Sequence, residues 1–412
     1  MARRTRSAAK GSNVERTLLT INVGSSSLKY DLLWLRGGEV RGRQLSGSVT
    51  RLGKRAIVEE TITALGTTRR TAAIESIEQA ALLACLRAAT IAEELESPID
   101  GVVHRVVHGG VAFRGATRLG KPELRALERL AIFAPLHQPQ ALRAVAVCAD
   151  AFGARVPQIG VFDTAFHATL PESAWRYPIA RELVDSNGIR RFGFHGIAYQ
   201  SVLAQLAERL RRPQNRISAV LFHLGSGCSA CAVRDGKSVD TTMGLSPLEG
   251  LPMRTRAGSL DPSLPLTLSR VTRRPVDSIV DSLWKESGLA AVSGTDGDMR
   301  TLLARERTDS RARLAIEMFV VALRKQLGAY LALLGEVDAI AFSGGIGEHA
   351  HEIRQRVLSG LETFGIRCDP TRNRDPSRFE ERITARTSRL PVFVLTANEA
   401  DMMAELASEA IA

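Results

Sequence analysis

The chain alternates between short apolar runs that end in glycine and longer stretches whose apolar residues recur every three or four positions. Ala219–Val233, AVLFHLGSGCSACAV, is the sharpest case. The run AVLF meets a polar His223, then Leu224 and a turn of Gly225, Ser226 and Gly227, and a second run of small and apolar residues follows. This predicts two strands joined by a tight turn of bare backbone, where glycine permits positive φ and lets N–H groups approach an anion. Leu18–Leu33 repeats the design, with Asn22 ahead of a Gly-Ser-Ser-Ser turn and Lys29 behind it. A third echo, Ala339–Glu348, ends a strand in Gly344, Gly345 and Gly347 just before a helical pattern. Three phosphate-sized turns on one chain suggest a nucleotide held between two related halves.

The remaining pattern follows in order. Strand-like pieces run to about Thr63, and Ile74–Leu95 has the spacing of an amphipathic helix. Asp100–Gly110 is a Val-rich strand of buried type, stopped by two glycines. Pro122 opens a helix to Leu130, and Gln138–Phe152 makes another. Gln158–His167 is a strand ending in Asp163, with a domain boundary near residue 164. Gly193–Gly196 introduces a helix through Leu210. Thr241–Pro262 is a long loop punctuated by Gly and Pro, uncommon unless it is functional. Arg311–Leu334 is a long amphipathic helix stopped by Gly335, feeding the strand Asp338–Phe342. A strand at Val392–Leu395, an acidic turn at Asn398 and Glu399 and a closing helix end the chain. Strands alternating with helices predict α/β domains, and 412 residues predict two of them.

Composition narrows the class. With 44% hydrophobic and 24% charged residues the chain reads as globular, and no apolar run nears the ~20 residues of a membrane span. Five cysteines do not make a disulfide framework and point to a reducing cytoplasm. The net charge of +11 raises nucleic-acid binding. Much of the excess is Arg scattered along helices, and at 5% the aromatics are too few for base-stacking platforms. A basic surface that handles small anions is the better reading, with no nucleic acid and no membrane as partner. Residues 1–16, MARRTRSAAKGSNVER, are basic without an apolar core, so they are no secretory signal; an organelle transit peptide is one reading and a disordered tail the favoured one.

Candidate chemistry gathers at the turns. Asn22, Ser25, Ser27 and Lys29 offer an amide, two hydroxyls and a cation around one glycine turn, an inventory suited to phosphoryl oxygens. Arg105 sits among valines that should be buried, and a buried Arg requires an anion. Its neighbours His104 and His108 would lie ~13 Å apart on a strand, too far to share a metal ion. Arg256, in the long loop, reads as a carboxylate or phosphoryl clamp, while Arg254 reads as a surface residue. Asp163 and Glu399 each follow a strand, where ligand-facing residues collect in α/β folds, and either is able to hold Mg²⁺ through water. Cys228 and Cys231 are small packing residues, because i and i+3 on a strand face opposite sides. His195 and His223 stand at Gly-flanked turns that can expose an imidazole.

These residues resemble the acetate kinase family. The motifs that carry the resemblance are INVGSSSLKY at 21–30, HRVVHGG at 104–110, APLHQP at 134–139, FDTAFH at 162–167, FGFHG at 192–196 and HLGSG at 223–227. MGLSPLEG at 243–250, TRAGSLDP at 255–262 and SGGIGE at 343–348 complete them in order. The resemblance implies a two-domain actin-like ATPase or sugar-kinase fold with duplicated ribonuclease H-like domains. The domains would be 17–163 with 400–412, and 164–399. It also implies a homodimer, ATP as co-substrate, Mg²⁺ (or Mn²⁺), and reversible transfer of the γ-phosphoryl to acetate, or to propionate or butyrate; the alternative of another class is a catalytically silent nucleotide-binding regulatory protein.

In that scheme Arg105 and Arg256 would hold the acyl carboxylate and the moving phosphoryl, and His195 would contact it in flight. Asp163 would orient the site, and Asn22 and Glu399 would support the metal. Val107, Leu136, Phe194 and Pro247 would line a methyl pocket. Ser25, Ser27, Lys29, His223 and the 224–227 turn would cradle phosphates. Asp298, Met299, Arg300 and Gly344, Gly345, Ile346 and Gly347 would receive the nucleoside, with His349 nearby. Ser226 and His349 stand where the family commonly has Asn.

Overall fold

The computed structural model describes residues 14–24, 26–135 and 137–411. The first thirteen residues of the expected tail, and the candidates Ser25 and Leu136, lie outside them. The chain forms two compact units, one running up to Ala165 and resuming at Glu399, the other Phe166–Asn398. Glu399, expected to end the second domain, opens a helix of the first unit.

The first unit is an eight-stranded sheet in the order β5-β4-β3-β2-β1-β6-β8-β7. Its strands are β1 Glu15–Val23, β2 Ser27–Arg36, β3 Glu39–Thr50, β4 Gly53–Ile62, β5 Gly66–Ile74, β6 Ile99–Val106, β7 Thr117–Arg118 and β8 Gln158–Phe162. β1 begins inside the stretch expected to be a tail, because Glu15 and Arg16 pair with Arg36 and Leu35 across the hairpin. The strand run also continues past Thr63: β5 is an edge strand exposed along most of its length, so it carries no apolar alternation to betray it. The helix expected from Ile74 starts at Ile77, where the Ser76 hydroxyl accepts a hydrogen bond from the Gln79 N–H. Its buried face is mostly alanine (Ala80, Ala81, Ala84, Ala88), which fits it against Leu19, Ile21, Leu28 and Tyr30 of the sheet. The helix Glu399–Ser408 closes this unit against β1, β2, β3, β6 and β8, pinned by an Asp401–Arg43 ion pair of 2.6 Å.

The second unit carries a five-stranded sheet in the order β11-β10-β9-β12-β13. The strands are β9 Ala219–Leu224, β10 Cys228–Arg234, β11 Lys237–Thr241, β12 Ala339–Ser343 and β13 Val392–Val394. β9 pairs antiparallel with β10 and parallel with β12, as β1 pairs with β2 and β6. One five-strand connectivity, β3-β2-β1-β6-β8, is thus repeated as β11-β10-β9-β12-β13. The helix Gly196–Leu210 packs Tyr199, Val202 and Leu206 against Leu221, Cys231 and Ala341. The helix Ser310–Leu334, started by an Asp309 cap and ended at Gly335, packs against β9 and β10. No helix or strand interrupts residues 242–263, so the long loop expected there is a loop.

Candidate active site

In the first unit, three neighbouring parallel strands deliver polar residues at their carboxyl ends. Asn22 stands near the end of β1, Arg105 near the end of β6, and Asp163 one residue past β8. Arg105 is 18% exposed, and among the described residues four of its five N–H donors are engaged, leaving one on Nη2. Nε donates to Asp163 Oδ1 at 3.0 Å, and Nη2 to Asp163 Oδ2 at 2.7 Å. Nη1 donates to Asn22 Oδ1 at 3.2 Å and to Glu399 Oε2 at 3.3 Å. Asn22 Nδ2 closes the ring by donating to the same Glu399 oxygen at 2.9 Å. Burial alone would lower the arginine's affinity for its proton, but Asp163 and Glu399 outweigh burial and hold it fully charged. Glu399 and Asn22 present hard oxygens, and one carboxylate completed by substrate phosphates and water is the usual Mg²⁺ arrangement, so the donors fit that ion. Lys29 lies opposite Asn22 in the hairpin and is exposed, Ser27 is half-buried beside the Gly24 turn, and Val107 is buried just past β6.

The second unit builds its site around Gly227. A Cβ there would stand 3.5 Å from His195 Nε2 and 3.7 Å from Arg256 Nη1, so both nitrogens converge on the space that the missing side chain leaves. Arg256 differs from Arg105. Its Nη1 donates to the Pro247 carbonyl at 3.0 Å and its guanidinium lies 5.3 Å over the Trp284 ring. Among the described residues no carboxylate pairs with it, and burial pushes it below the ordinary arginine range. A largely buried cation without a counter-ion is costly to keep, and an anionic ligand is what would compensate it.

His195 has φ 61° and ψ 21°, a left-handed conformation rare for a residue with a side chain, at the start of the helix Gly196–Leu210. Its ring lies 4.8 Å from that of His223, whose Nδ1 is 3.1 Å from Ser343 Oγ. Phe194 is fully buried and its carbonyl accepts from His167 Nε2 at 3.0 Å, and Pro247 is buried as well.

Beside the Gly225–Gly227 turn opens a cavity of about 480 Å³, within the range of small-ligand sites. It is lined by eight of the residues expected to meet a nucleotide: Gly225, Ser226, Asp298, Met299, Arg300, Gly345, Ile346 and His349. Leu224 and Gly347 do not line it and are buried, Leu224 in β9 and Gly347 within the helix Gly344–His349. That segment, expected as a turn, is helical from Gly344. The φ of 75° at Gly344, and the 2.8 Å that would separate a Cβ there from the Leu224 carbonyl oxygen, exclude any other residue without strain. Asp298 caps the helix Met299–Arg305 and is clasped by Arg300 through Nε at 3.0 Å and Nη2 at 2.9 Å, which holds its carboxyl down to about 2.

Arg254, expected as a surface residue, also lines the cavity and donates to the Asp296 carbonyl at 2.8 Å. Sequence reasoning passed over Tyr199 and Ser229. Tyr199 is four residues after His195 on one helix, and that spacing was the available signal.

Charged residues at the carboxyl ends of parallel strands, a repeated sheet connectivity and a glycine-turn cavity beside an uncompensated arginine define an actin-like, sugar-kinase-type α/β phosphotransferase. The profile of the acetokinase family matches residues 17–405. The acetate kinase of Streptomyces griseus is 40% identical over 394 residues, covering 94% of each chain, and that of Streptomyces coelicolor is 42% identical over 358 residues, covering 85% of this chain and 86% of the relative. Among solved structures, a Francisella tularensis propionate kinase superposes with a TM-score of 0.85 at 33% identity, covering 95% of this chain and 98% of the other. Porphyromonas gingivalis acetate kinase gives 0.84 at 30% identity, covering 96% and 100%. The chain belongs to the acetokinase family.

Proposed function

We propose that the protein is an acetate kinase, catalysing reversible, Mg²⁺-dependent transfer of the ATP γ-phosphoryl to acetate to give acetyl phosphate and ADP. The observation that carries the reading is Arg256, a largely buried cation with no carboxylate partner among the described residues, aimed with His195 at the space over Gly227. Acetate is ionised at pH 7, so its attack needs no general base. What the reaction needs is neutralisation of converging anions and in-line positioning. Arg256 and His195 would stabilise the moving phosphoryl, Arg105 would bind carboxylate with Asp163 fixing its fork, and the 480 Å³ cavity would take the nucleoside. Mg²⁺ (or Mn²⁺), held by Glu399 and Asn22 with phosphate oxygens, would neutralise charge on the phosphates. A homodimer, as the family resemblance implies, and a cytoplasmic location, as the cysteine content suggests, belong to the same reading, and light scattering checks the dimer.

Propionate is the second reading, since the Francisella neighbour is a propionate kinase. One methylene in an apolar pocket shifts preference by only about 1–3 kcal/mol. Trapping of acyl phosphate by hydroxylamine, with ATP and Mg²⁺ across formate, acetate, propionate and butyrate, tests both. Turnover peaking at acetate is expected, a peak at propionate favours the second reading, and no turnover with any acid overturns the assignment.

A further inference from the structure

His195 reaches the space over Gly227 through Nε2, and whether that nitrogen carries a proton decides whether it can donate to an anion there. The answer follows from two buried hydroxyls behind the ring. His195 Nδ1 lies 2.8 Å from Ser229 Oγ, and Ser229 Oγ is in turn hydrogen-bonded to the Tyr199 hydroxyl. Ser229 and Tyr199 are both fully buried. Among the described residues, Ser229 Oγ is the one hydrogen-bond partner of the Tyr199 hydroxyl. Tyr199 stands on the helix Gly196–Leu210, its ring against those of Phe166 and His167.

A buried hydroxyl that keeps its proton must place it on an acceptor, because leaving a donor unpaired out of reach of water is costly. Burial keeps Tyr199 protonated, so its O–H donates to Ser229 Oγ. Having accepted there, Ser229 turns its own proton to its other partner, His195 Nδ1. Nδ1 is then an acceptor without a proton, and the neutral imidazole carries its hydrogen on Nε2.

We infer that Tyr199 and Ser229 are positioning residues that lock His195 as the Nε2–H tautomer, so that it donates a hydrogen bond to the phosphoryl group without needing a positive charge. No proton is transferred: the relay only fixes where the proton rests. It also gives a reason for the left-handed backbone at His195, since the ring must reach Ser229 with one nitrogen and the Gly227 space with the other. This inference rests on the proposed role of His195 at the phosphoryl.

The test uses full-length protein labelled with ¹⁵N-histidine, with His195 assigned by comparison with His195→Gln. Long-range ¹H–¹⁵N spectra are expected to show Nδ1 bare and Nε2 protonated. In Tyr199→Phe, Ser229 loses its incoming proton and is free to accept instead, so the two His195 nitrogens move toward a common, averaged signature. In that variant kcat is expected to fall roughly three- to tenfold, the size of one lost hydrogen bond, with KM for ATP unchanged. Ser229→Ala should behave likewise, and Ser229→Thr, which keeps the hydroxyl, should restore both signature and rate. A wild-type His195 protonated at Nδ1, or a Tyr199→Phe spectrum identical to wild type, overturns the relay. A shifted tautomer with unchanged kcat leaves the relay standing and overturns the phosphoryl role of His195 instead.

Discussion

Arg256→Ala should separate stability from catalysis. The side chain contributes a charge-assisted hydrogen bond to the Pro247 carbonyl, about 1.5–3 kcal/mol, a weak contact of Nη1 with Met253 Sδ at 3.8 Å, and a cation–π contact with Trp284, about 0.5–1 kcal/mol. Against these stands the burial of a guanidinium that no carboxylate neutralises among the described residues, a penalty of several kcal/mol. The terms nearly cancel, so the ligand-free variant should unfold within about 1 kcal/mol of wild type. Catalysis should not be spared. Removing one preorganised donor to a developing anion typically lowers kcat about 10²–10³-fold, or ~2.7–4 kcal/mol. Urea unfolding of the ligand-free protein and hydroxylamine trapping of acetyl phosphate measure the two quantities on one preparation. A variant that loses about 3 kcal/mol of stability, the full worth of the hydrogen bond, while keeping its kcat would refute the reasoning, since Arg256 would then be a structural cation.

The converse is expected at Asp163→Asn, which strips Arg105 of its bidentate carboxylate and leaves it the 3.3 Å ion pair with Glu399. Breaking a buried pair on one side should destabilise the protein by about 3–5 kcal/mol in urea unfolding, with activity falling as well. Gly344→Ala forces a Cβ to within 2.8 Å of the Leu224 carbonyl oxygen at a φ of 75°. It should remove about 1–3 kcal/mol of stability and weaken ATP binding by calorimetry. Burial lowers His104 and His167 from 6.5 to about 4 in the folded protein. Folding therefore favours their neutral forms, and the stability they allow is fully present above pH 6.5 and drains as the pH falls toward 4. At ~1.36 kcal/mol per pH unit, each costs about 2 kcal/mol by pH 5 and about 3 kcal/mol once the pH is below 4, the first part seen by comparing unfolding at about pH 5 and pH 7.5. His104→Gln should flatten part of that slope.

What the sequence made legible was mostly what backbone chemistry dictates. Turns at Gly225–Gly227 and Gly24, the helix Gln138–Phe152 and the strand ending before Asp163 all announce themselves through glycine or through periodicity. β5 stayed hidden because GTTRRTAAI is exposed on an edge and carries no apolar alternation. The charge pairing of the two arginines was equally out of reach. Arg105 and Arg256 look alike as residues buried among small or apolar neighbours, yet the structure pairs only the first with carboxylates. Strand adjacency brings Asp163 to Arg105, and the packing of the closing helix on β6 and β8 brings Glu399, neither of which shows in sequence spacing. Ser229 was out of reach as well, since nothing along the chain says that its hydroxyl meets the imidazole of His195, thirty-four residues earlier.

The helix Glu399–Ser408 also sets an order on biosynthesis. The unit Phe166–Asn398 is contiguous, so it needs no segment from beyond Asn398 to complete its fold. The first unit, although translated earlier, must wait with part of its sheet uncovered until this last helix arrives against β1 and β2. Glu399 opens that helix, so the ring around Arg105 closes at the same late moment. A chain truncated short of Glu399 therefore keeps every residue of the second unit but lacks the closing helix of the first and the Glu399 carboxylate beside Arg105.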